Sequence, residues 1–206
     1  MALHVVDHPI AHDLLLSLRD KTTPPDTFRQ LARRLSLVLT LEATRDLETV
    51  STTVETPLGP ATGTRVATEV VVVPVLRAGL GMLDAVLELL PRAKVGHIGL
   101  QRDEATAVAS KYYAKLPVGL ATARVLMIDP MLATGGSAVF ALDVLRDAGA
   151  TDIRLLCIVA APEGVRTVEA AYPGVQIYTP VVDACLNARK FIVPGLGDFG
   201  DRLFGT

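Results

Sequence analysis

The run Val125 to Ser137, V-L-M-I-D-P-M-L-A-T-G-G-S, sets three kinds of group in a chemically suggestive order. An apolar stretch ends in one carboxylate, Asp129. A turn of small and hydroxyl residues follows: Ala133, Thr134, Gly135, Gly136 and Ser137. Then Val139, Leu142, Val144 and Leu145 recur at helical spacing. Strand, glycine-rich turn and helix together aim backbone N–H groups at one point, where orphan amides and the helix dipole favour an anion. Thr134 and Ser137 add hydroxyl donors, and the glycines permit positive φ and close backbone approach. Phosphate binding is the chemistry this suits. The run is not a Walker A loop, since no lysine follows the glycines, and it is not G-x-G-x-x-G. A tight strand-to-helix turn without a ligand uses the same short T-G-G, so the reading needs groups elsewhere in the chain.

Arg77 is one such group. It follows the valine run Glu69 to Val75 in L-R-A-G-L-G, just past a strand end, where open parallel sheets bind ligands. A guanidinium fork there matches phosphate oxygens and can clamp a diphosphate, although a surface-loop arginine fits the same position. Arg102 likewise follows a strand, Lys94 to Leu100. The polar stretch from Arg102 to Lys115 can form a lid that keeps water from a reactive cation, or an ordinary exposed loop. Tyr112 and Tyr113 are not assigned to the site. The tail Phe191 to Thr206, F-I-V-P-G-L-G-D-F-G-D-R-L-F-G-T, is too apolar for disorder and has no helical or strand period. Folded back over a sheet edge, its backbone amides and carbonyls can read the N–H and C=O edge of a flat base, with rejection of any base that leaves them unpaired.

These groups need elements to hold them. Val5 to Ile10 reads as extended, Ala11 to Arg19 as a helix, and Thr27 to about Leu47 as a longer helix after the Pro24-Pro25 turn. Arg29, Arg33 and Arg34 fall on its polar face. His8 and His12 lie four apart with Pro9 between them and no third ligand near, which disfavours a metal site. Val50 to Arg65, rich in Thr, Pro and Gly, reads as a β-hairpin arm that needs a partner surface to pack on. From Glu69 onward strand and helix alternate: a helix from about Met82 to Leu90, a strand Ile153 to Ala160, a helix to about Tyr172, and a strand Gln176 to Thr179. Right-handed crossovers turn that order into a mostly parallel α/β sheet flanked by helices.

Composition agrees. The chain has 206 residues, half of them hydrophobic, with few aromatics, which suits one domain of Val-rich strands packed on Ala/Leu helices. A net charge of −2 argues against a general nucleic-acid or anionic-membrane surface. Cys157 and Cys185 make no disulfide framework and no C-x-x-C. No apolar run approaches a membrane span, and Met1 to His12 lacks a signal-peptide pattern, so a reducing cytoplasm is expected.

D-P-M-L-A-T-G-G-S resembles the ribose-phosphate loop of the type I phosphoribosyltransferases. With Pro130 after Asp129 instead of a second acid, it is similar to the uracil phosphoribosyltransferase version. I-V-P-G-L-G-D-x-G-D-R-x-F-G-T resembles that family's base-binding hood. V-L-R-A-G-L-G-M, V-A-A-P-E-G-V and A-T-R-D-L-E-T extend the likeness over most of the chain. The resemblance implies one phosphoribosyltransferase domain over 1–206, with an arm at about 50–65 and a hood at about 180–206. It implies that uracil and phosphoribosyl diphosphate (PRPP) give UMP and diphosphate, in pyrimidine salvage. PRPP would be held by Arg77, Arg102, Asp129, Pro130, Met131, Leu132, Ala133, Thr134, Gly135, Gly136, Ser137 and Asp198, and uracil by Ile192, Gly197, Asp198 and Phe199. Arg77, Arg102, Asp129 and Asp198 would carry the catalysis. Mg²⁺ would arrive on PRPP with no direct protein ligand. GTP is an activator of several members, and self-association as dimer or tetramer is common. A purine phosphoribosyltransferase, an RNA-binding regulator on the same fold and an inactive nucleotide sensor remain alternatives at this stage.

Overall fold

The computed structural model describes residues 3–102 and 109–206. In chain order these form β1 (Leu3–Val5), α1 (Pro9–Arg19), α2 (Pro25–Ala43), β2 (Thr49–Thr56), β3 (Gly59–Val66), β4 (Val70–Leu76) and α3 (Leu80–Leu89). Next come β5 (Lys94–Val95), β6 (His97–Arg102), β7 (Ala109–Lys115), β8 (Arg124–Ile128), β9 (Met131–Leu132), α4 (Gly136–Asp147), β10 (Asp152–Leu156) and β11 (Val159–Ala160). The chain finishes with α5 (Pro162–Ala171), β12 (Gln176–Thr179), β13 (Cys185–Leu186), β14 (Ile192–Val193) and α6 (Phe199–Phe204). The main sheet runs β1-β12-β10-β8-β4-β6-β7, with β5 also on β4. Among the described residues of this sheet only β7 is antiparallel to its neighbour; the other pairings are parallel. The α/β sheet expected from the alternation of elements is what forms.

The valine run of β4 shows why the sheet must be covered on both sides. Successive strand residues point to opposite faces. Val70 and Val72 join one buried cluster with Leu18, Phe28, Leu35, Leu39, Met82 and Phe199, from α1, α2, α3 and α6. Val71, Val73 and Val75 join another with Ala138, Leu142, Leu145, Val165 and Val168, from α4 and α5. The register sets Pro74 beside Ile128, and Ile128 beside Leu156. The C-terminal ends of β4, β8 and β10 are therefore level, and the loops after β4 and β8 open at one edge.

Several boundaries differ from the periodicity. α2 stops at Ala43 instead of about Leu47. The buried Arg154 donates to the Ala43 carbonyl at 2.6 Å and grips Asp46 through both terminal nitrogens at 2.7 and 2.6 Å, which ends the helix and bends the chain. The expected strand Ile153 to Ala160 is two strands. After β10 the Ile158 and Val159 amides both donate to Pro130 O, at 2.9 and 3.1 Å, and β11 pairs with β9 in a separate small sheet. Lys94 to Leu100 is broken at Gly96, where a Cβ would stand 2.8 Å from Leu116. Val5 to Ile10 is extended only to Val5, since His8 caps α1 by accepting from the Ile10 amide at 3.1 Å. The arm is a regular antiparallel hairpin from Thr49↔Val66 to Thr56↔Gly59, almost wholly exposed, with Leu58 99% exposed at its tip. Among the described residues no helix is long and apolar enough to cross a membrane.

Candidate active site

A cleft of about 350 Å³ opens at the C-terminal edge of β4 and β8, the size range of small-molecule sites. Its wall takes Val75 to Ala78 from the end of β4 and the loop beyond, and Leu100 from β6. Asp129, Met131, Ala133 and Ser137 come from the loop after β8, and Ile192 and Gly197 to Gly200 from the tail.

Arg77 reaches the wall because the chain turns sharply after β4. The Leu76–Arg77 peptide is cis, and Gly79 N donates back to Val75 O at 2.9 Å. A Cβ on Gly79 would lie 2.5 Å from Ile128 O, so only glycine lets that turn close against β8. The exposed Arg77 guanidinium lies over the Phe204 ring of α6, 5.7 Å from its centroid.

The loop after β8 is built from behind. Asp129 N donates to Leu156 O at 3.1 Å, Ala161 N donates to Leu132 O at 2.8 Å, and Pro130 O receives the two amides named above. Pro130 and Leu132 are therefore buried behind the cleft, and Asp129, Met131, Ala133 and Ser137 form its wall. Thr134, Gly135 and Gly136 are not part of that wall. Gly135 holds φ +85° at the N-cap of α4. α5 sits directly under this turn: a Cβ on Gly164 would be 2.5 Å from Ala133 O, and one on Gly135 would be 2.7 Å from Thr167 Cβ.

The tail is more ordered than its aperiodic sequence implied. β13 and β14 pair as a hairpin, and α6 follows. The Asp198 carboxylate caps α6, accepting from the Asp201 amide at 2.9 Å. Phe199 is 1% exposed, and its ring packs edge-on to Phe28 at 5.1 Å. Phe199 thus gives its backbone to the cleft and its side chain to the core. Ile192 is 5% exposed and Gly197 takes φ +84°.

The cleft so brings together Arg77, Asp129, Met131, Ala133, Ser137, Ile192, Gly197, Asp198 and Phe199 of the residues expected from sequence. Arg102 ends β6, and its side chain lies outside the described residues. The expected lid from Arg102 to Lys115 falls partly on residues 103–108, also outside them; what the structure describes is the antiparallel pairing of β6 with β7. Sequence reasoning missed Arg189 and Lys190, which form cleft wall on the β13–β14 turn beside Phe191, the first residue of the expected tail. Asn187 builds that turn, its side-chain oxygen accepting from the Arg189 and Phe191 amides at 2.9 and 3.0 Å. Lys190 takes φ +66°. An asparagine between short apolar pairs is a turn signal, and it carried two cations in plain view. The cleft therefore sets Arg77, Arg189 and Lys190 against Asp129 and Asp198, a mixed-charge site suited to a polyanion that also bears hydroxyls.

The protein-family model described as uracil phosphoribosyltransferase matches residues 5–206. The uracil phosphoribosyltransferase of Halalkalibacterium halodurans is 50% identical over 205 residues, which cover 99% of this chain and 98% of that one. The solved AQ2163 protein of Aquifex aeolicus superposes with a TM-score of 0.94 at 35% identity, over 99% of this chain and 98% of its own. A hypoxanthine-guanine phosphoribosyltransferase of Bacillus anthracis, 13% identical with a TM-score of 0.52 over 77% of this chain and 80% of its own, shares the fold alone. With the loop after β8 and the glycine-rich tail lining one cleft, and with the family model matching residues 5–206, the chain belongs to the uracil phosphoribosyltransferase family.

Proposed function

We propose that this protein transfers the phosphoribosyl group of PRPP to N1 of uracil, releasing diphosphate and forming UMP for pyrimidine salvage. The observation that carries the reading is the facing of two walls across one cleft: the Asp129–Ser137 loop at the head of α4, and the Ile192–Gly200 tail. The first suits a sugar phosphate; the second presents backbone to a flat base.

In this reading the loop from Ala133 to Ser137 anchors the 5′-phosphate, with Thr134, Gly135 and Gly136 supplying the turn, and Pro130, Met131 and Leu132 the scaffold and floor. Asp129 orients the ribose hydroxyls. As the C1–O bond to diphosphate breaks, positive charge grows on the ribose ring and negative charge on the leaving group. Arg77 and Arg102 stabilise the departing diphosphate. Mg²⁺ enters as part of the substrate, bound to PRPP. Holding uracil N1 in line with C1 supplies order ~7 kcal/mol or more of the rate gain through proximity. Ile192 and the backbone of Gly197, Asp198 and Phe199 hold the base. Asp198 touches PRPP as well and assists loss of the N1 proton; a normal turnover rate in Asp198→Asn would remove it as the base.

The deciding assay mixes purified protein, Mg-PRPP and a panel of bases. UMP formed from uracil, with little product from hypoxanthine or guanine, is expected; nucleotide from a purine alone would overturn the reading. The proposal extends to self-association through the exposed arm, to GTP as an activator, and to a reducing cytoplasm that suits two unpaired cysteines. Light scattering of the protein, and of a variant lacking the arm tip at 57–60, tests the first. Initial rates with and without GTP test the second.

A further inference from the structure

We infer that Arg19, Asp183 and Arg202, none of which lines the cleft, are positioning residues that fix the backbone of Gly195 and Leu196 and so place the base-reading Gly197 and Asp198; this rests on the reading of the tail as the base site. The segment between β14 and α6 has two glycines in the left-handed region, Gly195 at φ +58° and Gly197 at φ +84°. Side chains satisfy its backbone. The Gly195 amide donates to Asp183 Oδ2 at 2.8 Å, and the Gly195 carbonyl accepts from Arg19 Nη1 at 2.7 Å. The Leu196 carbonyl accepts from Arg202 Nη1 at 2.8 Å.

Arg19 and Asp183 also hold each other through a two-pronged pair at 2.8 and 2.6 Å, with the Asp183 side chain only 3% exposed. Arg202 reaches past the loop to the Leu18 and Asp20 carbonyls, and its guanidinium lies 4.5 Å over the Phe28 ring. The loop is thereby strapped to the C-terminal end of α1. A buried ion pair is a poor stabiliser, because desolvation offsets its attraction, and apolar packing of equal volume often does as well. What apolar packing cannot do is bond the N–H and C=O of one glycine at once. The strap fixes the loop two residues before Gly197 and Asp198 reach the cleft wall. A base edge read by backbone amides tolerates little displacement, since roughly 1 Å of misplacement can cost ~100-fold.

The test uses Arg19→Lys, which keeps the charge but loses the planar fork that grips both Asp183 oxygens while also bonding Gly195 O, and Asp183→Asn, which keeps the shape and an acceptor. Steady-state kinetics would be measured for uracil and PRPP separately, with the uracil-over-cytosine preference and a thermal melt. We expect KM for uracil to rise about tenfold, the scale of one weakened hydrogen bond, with KM for PRPP within about twofold of wild type. The preference against cytosine should fall in both variants. Arg202→Lys should follow the same pattern, which keeps the test alive if Asp183→Asn does not fold. Two results overturn the inference: both KM values moving together as the melting temperature drops, or neither moving. Wild-type protein that makes no UMP from uracil removes the underlying reading instead, and the inference with it.

Discussion

Replacing Gly164 by alanine puts a large demand on the loop after β8, the proposed phosphate anchor, for a small chemical change. Gly164 belongs to α5 and is not part of the cleft. A Cβ there would stand 2.5 Å from Ala133 O, 2.7 Å from Leu132 O and 2.9 Å from Leu132 Cγ. Ordinary contact begins at 3.4 Å, so one side must give by roughly 0.9 Å. α5 cannot simply retreat, because the Ala161 amide just before it is bonded to Leu132 O at 2.8 Å and Thr167 packs against Gly135. The turn itself should move, toward the cleft. Overpacking of this kind costs about 1–3 kcal/mol. For a chain of this size each kcal/mol lowers Tm by about 2–4 °C. A displacement near 1 Å at a substrate anchor costs up to ~100-fold. We expect kcat/KM for PRPP to fall about 10- to 100-fold, KM for uracil to change much less, and the melt to fall modestly. Gly174→Ala, with nothing within 4 Å of its new Cβ, is the control and should be silent. Wild-type PRPP kinetics in Gly164→Ala, with the fold intact, would refute the argument that α5 shapes the proposed phosphate anchor.

Other perturbations follow from single contacts. The Arg154 hydrogen bonds hold the Asp46 carboxyl well below the usual carboxylate range. A depressed pKa contributes stability at pH above the unfolded value, near 4, and loses it as pH falls toward the folded value. Urea midpoints taken from pH 6 down to pH 3 should therefore drop less steeply in Asp46→Asn than in wild type. Burial, helped by the charge on Asp129, pushes the Cys157 thiol up to about 12, whereas Cys185 is exposed. A thiol reagent at pH 8 should label one cysteine in the native protein and two in denaturant. Lys190→Gly relieves a left-handed residue at φ +66°. That gain, roughly 1 kcal/mol, is offset in part by the greater freedom of glycine when unfolded, so the urea midpoint should hold or rise slightly.

The parts of the fold legible in the chain are those where one residue type repeats at a strand or helix period. The valines of β4 announced a strand buried on both faces, and the arm and the loop after Asp129 were placed by their turn residues. What escaped was set by contacts distant in sequence. No local pattern shows that Arg154 would cap Ala43 and stop α2 early, or that Pro130 O would draw in Ile158 and Val159 and split a strand. The same holds for the site. Gly197, Asp198 and Ile192 were legible as part of a motif, and the inward turn of the Phe199 ring was not, since it depends on Phe28 across the fold. Arg189 and Lys190 were passed over because a short polar turn looks like surface until the hairpin that carries it leans over the sheet edge.

The pairing of Leu3–Val5 with Ile177–Thr179 has a consequence for biosynthesis. A ribosome adds roughly 5–20 residues each second, so Thr179 emerges roughly 10–35 seconds after Val5. Until then the early strand has no mate, and Arg19 waits longer still for Asp183 and Gly195. A message cut short before codon 176 would yield a polypeptide with a bare sheet edge and an unanswered cation, a substrate for proteases and chaperones and not a partly working enzyme.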